Sequence, residues 1–132
     1  MIIDKDNVFL GSGTPNTQTI AIAGAAVTSV PLDLGEAGDA IGQELTLHVI
    51  PTSTFVGGTS VQFKLQTASA NVDSSYRDVV LSPAVVTSNL VAGKEAFCVR
   101  VPQGLDRFVR LHCGPSGTFT SGGIMAFMDK DL

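Results

Sequence analysis

The sequence predicts an all-β fold: one domain of two packed antiparallel sheets, or a closed barrel, with about 8–9 short strands. Its apolar residues, 44% of 132, come as short runs carried by Val, Ile, Leu, Phe and Ala. Several runs alternate strictly with polar residues, the period of a half-buried strand. Between them stand 14 Gly and 6 Pro, placing turn signals every few residues. No segment reads as a long helix. A chain of this length holds one core and buries roughly 65–70% of its unfolded surface.

Taken in order, residues 1–10 form an N-terminal arm or first strand, with Ile2, Ile3, Val8 and Phe9 around the polar Asp4-Lys5-Asp6-Asn7. Residues 11–132 form the sandwich domain. Residues 11–16 are a Gly/Pro loop. Residues 19–30 are small, β-permissive and broken by Gly24, giving one kinked strand or two short ones. Residues 30–34 are strand-like, with Pro31 at an edge or bulge, and 35–42 are a glycine-rich loop. Leu45, Leu47 and Val49 alternate with Thr46, His48 and Ile50 in a strand ending at Pro51. Residues 52–59 are then a connection carrying Phe55. Val61, Phe63 and Leu65 alternate with Gln62, Lys64 and Gln66, the cleanest amphipathic strand of the chain.

After a polar loop over 68–75, residues 76–81 form a strand closed by Ser82-Pro83. Val85-Val86 and Leu90-Val91 are short apolar pieces, and Gly93-Lys94-Glu95 turns the chain. Phe97, Val99 and Val101 alternate with Cys98 and Arg100. Over 107–113, Val109, Leu111 and Cys113 share one face, while Phe108, Arg110 and His112 share the other. Gly114-Pro115-Ser116-Gly117 is a turn cluster, and strand chemistry resumes over 118–128. These last two strands read as a hairpin whose apolar face the rest of the chain covers.

The formal charge is −4 and the pI about 4.8. The eight Lys and Arg are scattered, so no basic stripe invites nucleic acid. No apolar run reaches the ~18–20 residues that span a bilayer. The N-terminus shows no basic segment followed by an apolar one, which points to folding in a cytoplasm. Cys98 and Cys113 lack a CxxC spacing. Two reduced, mostly buried thiols fit better than a disulfide between neighbouring strands.

Catalytic motifs are missing at each place they could stand. Ser116 in Gly-Pro-Ser-Gly fails the nucleophile-elbow pattern. His48 and His112 lie on the more polar faces of their strands, with no Ser, Cys or carboxylate pattern pointing at either. The carboxylate pairs Asp4/Asp6 and Asp129/Asp131 lack calcium-loop spacing, and Gly11-Ser12-Gly13 is no dinucleotide loop. The expectation is a non-enzymatic binding or structural domain with no cofactor and no metal. Arg100 and Arg110, mid-strand on faces that include Cys98, Phe108 and His112, have the composition of an interface core. Phe55, flanked by glycines, either tucks under the sheet or meets a partner.

Six blocks in chain order carry a resemblance. They are Met1-Ile2-Ile3-Asp4 with an aromatic at Phe9; Val30-Pro31-Leu32-Asp33-Leu34-Gly35; Ile41-Gly42-Gln43-Glu44-Leu45-Thr46-Leu47; Val61-Gln62-Phe63-Lys64-Leu65-Gln66-Thr67; Leu90-Val91-Ala92-Gly93; and Arg107-Phe108-Val109-Arg110-Leu111-His112 followed by Gly117-Thr118-Phe119-Thr120-Ser121-Gly122. With them the chain resembles the small capsid cement (decoration) proteins of tailed phages, of the Bordetella podovirus type, over residues 1–10 and 28–130. Residues 11–27 depart from that pattern, being longer and richer in Ala and Gly.

The resemblance implies a jelly-roll sandwich without catalytic residues. It implies a symmetric homo-oligomer, dimer or trimer, made in the host bacterial cytoplasm and seated on the capsid surface of the virion. There it would bind the major capsid protein and stabilise the shell. An arm bearing Ile2, Ile3 and Phe9 would suit strand addition to a neighbour. The alternative is a carbohydrate- or receptor-binding sandwich module, poorly supplied with sugar platforms by no Trp and one Tyr. A small β-barrel or cupin-like enzyme is poorer still, since two histidines do not furnish its metal set.

Overall fold

A computed structural model describes residues 8–9, 11, 20–33, 46–102 and 105–129. Outside the described residues fall Ile2 and Ile3, most of the 11–16 loop, the 35–42 loop, and the carboxylates Asp4, Asp6 and Asp131. The strands are β1 (Val8–Phe9), β2 (Ile20–Ala21), β3 (Val27–Thr28), β4 (Leu32–Asp33), β5 (Thr46–Gly57), β6 (Ser60–Ala68), β7 (Arg77–Leu81), β8 (Val85–Val86), β9 (Phe97–Arg100), β10 (Phe108–Ser116) and β11 (Phe119–Asp129). Short 3-10 turns at Asp73–Ser75 and Thr87–Asn89 flank β7 and β8. Among the described residues, no helix is long and apolar enough to cross a membrane.

Two antiparallel sheets form a sandwich. The first runs β1-β11-β5-β9, with β2 also on β11; the second runs β3-β10-β6-β7, with β4 also on β10 and β8 also on β6. Three outer positions are split strands. β1 and β2 pair successive parts of β11, β3 and β4 successive parts of β10, and β7 and β8 successive parts of β6. Counting each split pair once, the eleven segments fill eight positions, ordered 1-8-3-6 in one sheet and 2-7-4-5 in the other. That is the double Greek key of a jelly roll.

The 107–128 region departs from its expected form. β10 and β11 are consecutive and tightly joined, yet they pair with different strands in different sheets: β10 with β6 and β11 with β5. The connection at Gly117 is a corner rather than a hairpin. The β5–β6 connection turns the same corner beside it, with the Gly58 N–H donating to the Thr118 carbonyl (2.8 Å) and the Thr59 N–H to the Ser116 carbonyl (2.8 Å). Left-handed glycines make both turns, at φ +89° and +44° for Gly57 and Gly58 and +83° for Gly117.

β5 likewise continues past Pro51, where a strand end was expected, through residues 52–57. Proline lacks an N–H, and the ladder accommodates it by register shifts between Ser121 and Ile124 of β11, opposite residues 51–56.

The core lies between the sheets and follows the expected alternation. Leu47 and Val49 on β5, Val61, Phe63 and Leu65 on β6, Val109, Leu111 and Cys113 on β10, and Ile124, Ala126 and Met128 on β11 are all fully buried. Each larger side chain contributes roughly 1.5–3 kcal/mol by leaving water. Phe55 joins them edge-on to Phe119, ring centroids 5.1 Å apart. Cys98 and Cys113 stand in different sheets and are not joined by a disulfide. Cys113 is buried as expected, and burial pushes its pKa up to about 12. Cys98 is exposed, because it sits on the face of edge strand β9 opposite its partly buried neighbours Phe97 and Val99.

Candidate functional site

The outer face of the second sheet carries the best-ordered polar constellation among the described residues. Period-2 alternation turns Phe108, Arg110 and His112 away from the core. Register sets Gln66 opposite Arg110 and Lys64 opposite His112 on β6, with Asp78 of β7 beyond Gln66 and Thr28 of β3 on the other flank.

Arg110 is the hub. Its Nε donates to Gln66 Oε1 at 2.9 Å and its Nη1 to Asp73 Oδ1 at 2.9 Å. The guanidinium lies 3.8 Å from the centroid of the Tyr76 ring, a cation–π stack. Gln66 passes the network on by donating Nε2 to Asp78 Oδ1 at 2.8 Å. The Tyr76 hydroxyl donates to Asn71 Oδ1 at 2.9 Å, tying down the loop that carries Asp73. Partial burial, outweighing the nearby Arg110 charge, holds the Tyr76 pKa above its usual value. Beside this hub a groove of about 550 Å³ is lined by residues 26–31 with Asn71, Asp73 and Arg110.

His112 extends the same face. Its pKa is lowered, first by burial and then by the positive charges of Lys64 and Arg110. Among the described residues its buried Nδ1 has no hydrogen-bond partner. Arg107, at the strand's start, makes a bidentate pair with Asp33 of β4 at 2.8 and 2.9 Å, and that hydrogen bond raises its pKa.

The expected contact residues do not share one surface. Arg110 and His112 lie together on the second sheet, whereas Arg100 is exposed on β9 of the first. Phe9 and Phe55 are corrected. Phe9 is fully buried, its strand β1 pairing the chain's own β11, and Phe55 is 3% exposed inside β5. Neither side chain offers surface to a partner, because each fills the core. Arg110 stacks on Tyr76, not on Phe108, which precedes it by two residues on the same strand face. The Tyr76, Gln66 and Asp73 contacts were missed, since cross-strand register is not written in local sequence.

A second group stands on the outer face of the first sheet. His48 is nearly buried and stacks on Phe127, ring centroids 5.2 Å apart. Its Nδ1 lies 2.7 Å from Glu95 Oε1. Cys98, directly opposite it on β9, completes a cluster whose ligand atoms all lie within 4.8 Å of one another. Sequence reading placed His48 on a polar face without a carboxylate partner; the partner comes from 47 residues away.

A family model named Bbp16 matches residues 16–128. The chain belongs to the Bbp16 family. Bbp16 is a Bordetella phage protein family, so a phage origin and association with the virion follow for this chain. The match covers β2 to β11 but for its last residue, and with it both outer faces of this Bbp16 domain. No curated protein matches the chain. Among solved structures, the module TmCBM61 in complex with β-1,4-galactotriose is similar at 13% identity and a TM-score of 0.35, over 98% of this chain and 86% of that one.

Proposed function

We propose that this protein is a capsid cement protein: it binds the outside of the major capsid shell and stabilises it against internal pressure. Membership of a Bordetella phage family carries the reading. The face that suits docking is the outer surface of the second sheet. Arg110 is held there in one orientation by Gln66, Asp73 and Tyr76, so binding would cost little side-chain entropy. A guanidinium fixed in this way suits a carboxylate on the shell.

A cement protein gains strength by engaging several capsid sites at once, since each contact after the first is effectively intramolecular. A homo-oligomer, dimer or trimer, whose symmetry matches a local capsid axis would do this. We assign Arg100, on the opposite sheet, and Ile2 and Ile3 to contacts between copies. The jelly roll would be made in the host cytoplasm and end on the capsid surface. A sugar-binding role finds little footing, since one face of the sole tyrosine is covered by Arg110.

The test is co-sedimentation of purified protein with shells that lack it. Wild type pellets with shells, and Arg110→Ala loses most of that binding while keeping its far-ultraviolet dichroism. Absence of the protein from purified virions by mass spectrometry would overturn the cement reading.

A further inference from the structure

We propose that His48, Glu95 and Cys98 form a binding site for one zinc ion. The three come together by backbone design. His48 on β5 and Cys98 on β9 are register partners, and in an antiparallel pair directly opposed side chains stand on the same face. Glu95 precedes β9 by two residues, and its position beside β5 is fixed on both sides. The Ala96 N–H donates to the Val49 carbonyl at 2.8 Å and the Gly93 N–H to the Pro51 carbonyl at 2.9 Å. The His48 ring is nearly buried and held against Phe127, so the nitrogen ligand is preorganised.

The donor set selects the metal. One imidazole nitrogen, one carboxylate oxygen and one thiolate sulfur suit borderline zinc, whereas calcium and magnesium take oxygen alone. Tetrahedral zinc with bonds of about 2.0–2.3 Å sets its ligand atoms roughly 3.3–3.6 Å apart. The observed atoms, 2.7 Å apart for His48 and Glu95 and all within 4.8 Å, bracket that spacing. Glu95 is exposed, so its carboxylate can withdraw by under ~1 Å to admit the ion. Solvent takes the fourth position. Metal binding displaces the Cys98 thiol proton, as it does for any coordinating thiol. The ion would staple edge strand β9 to β5.

The probe is zinc itself, with cobalt(II) as its coloured substitute, added to the reduced, chelator-stripped full-length protein. Calorimetry should find one zinc per chain, and zinc should raise the melting temperature. Cobalt(II) should give a thiolate-to-metal charge-transfer band in the near ultraviolet. Cys98→Ser should abolish that band, and both it and Glu95→Gln should weaken zinc binding at least about tenfold, since outer-shell changes alone cost 10–100-fold. Lys94→Ser, next to the site, should change neither. Both ligand variants are exposed and keep the fold, so the test stands even where a His48 variant fails to fold. No zinc binding by wild type, or an undiminished band in Cys98→Ser, would overturn the site.

Discussion

A single Cβ at Gly58 would meet the Phe119 ring at 2.4 Å, and the backbone there stands at φ +44°. Neither obstacle can relax cheaply, because Phe119 is buried and locked edge-on against Phe55. Gly58→Ala should therefore destabilise the protein by about 1–3 kcal/mol, the range for overpacking, read as a lower urea midpoint at unchanged slope. A change below ~0.5 kcal/mol, the size of an ordinary surface substitution, would refute this account of the corner.

His112 makes a second statement at this scale. Its native pKa lies below the ordinary value near ~6.5, so the unfolded chain binds the proton more readily than the native one. Its contribution is complete above ~6.5 and is lost as pH falls from there toward the native pKa. His112→Gln should flatten the fall in stability below ~6.5, measured by urea unfolding at several pH values. An unchanged slope would show that His112 titrates alike in both states. Residue by residue, the sequence showed which side chains alternate outward, Arg110 and His112 among them. It did not show what they touch, because Tyr76 and Asp73 reach Arg110 through tertiary placement.

At the scale of elements, buried hydroxyls complete the ladders where the flanking strands break. The Ser82 N–H donates to the Phe63 carbonyl at 2.9 Å, while its Oγ accepts from the Phe63 N–H at 2.9 Å and donates to the Pro83 carbonyl at 2.8 Å. Ser82 thus substitutes for the strand residue missing between β7 and β8. Ser29 does the same between β3 and β4. Its N–H donates to the Leu111 carbonyl and its Oγ accepts from the Leu111 N–H. Thr67 closes the start of β10 by donating to the Phe108 carbonyl and accepting from the Asp106 N–H.

Ser82→Ala should cost about 1–3 kcal/mol, because it leaves the buried Phe63 N–H unsatisfied. Hydrogen exchange should quicken at Phe63 and along β8. Exchange unchanged at Phe63 would mean that another acceptor takes over. The elements themselves were legible wherever alternation was clean, as on β6 and β10. The corner was not. A Gly-Pro-Ser-Gly turn between two alternating strands looks the same whether the chain folds back in one sheet or crosses to the other. Only the competing pairings of β10 with β6 and β11 with β5 decide it. Pro51 hid the second half of β5 for a related reason, since a bulge tolerates proline only where the partner strand shifts register.

At the scale of the whole molecule, the sandwich presents two unlike outer faces. The second sheet offers an ordered polar network around Arg110, and the first carries His48, Cys98 and Arg100. A clamp between neighbouring capsid subunits needs more than one contact per particle, and copies related by symmetry supply it without new chemistry. On the proposed cement role, light scattering behind a sizing column should therefore give a discrete dimer or trimer that persists on dilution, its order matching that of a capsid axis. Shells stripped of the protein should rupture at lower temperature, and re-addition should restore their resistance. Because avidity rises with the number of simultaneous contacts, a variant that remains monomeric should bind shells about 10²–10⁴-fold more weakly, though each individual contact is unchanged. A wild-type protein that stays monomeric yet restores the resistance of stripped shells would leave the fold and family intact. It would remove multivalent clamping as the means of stabilisation.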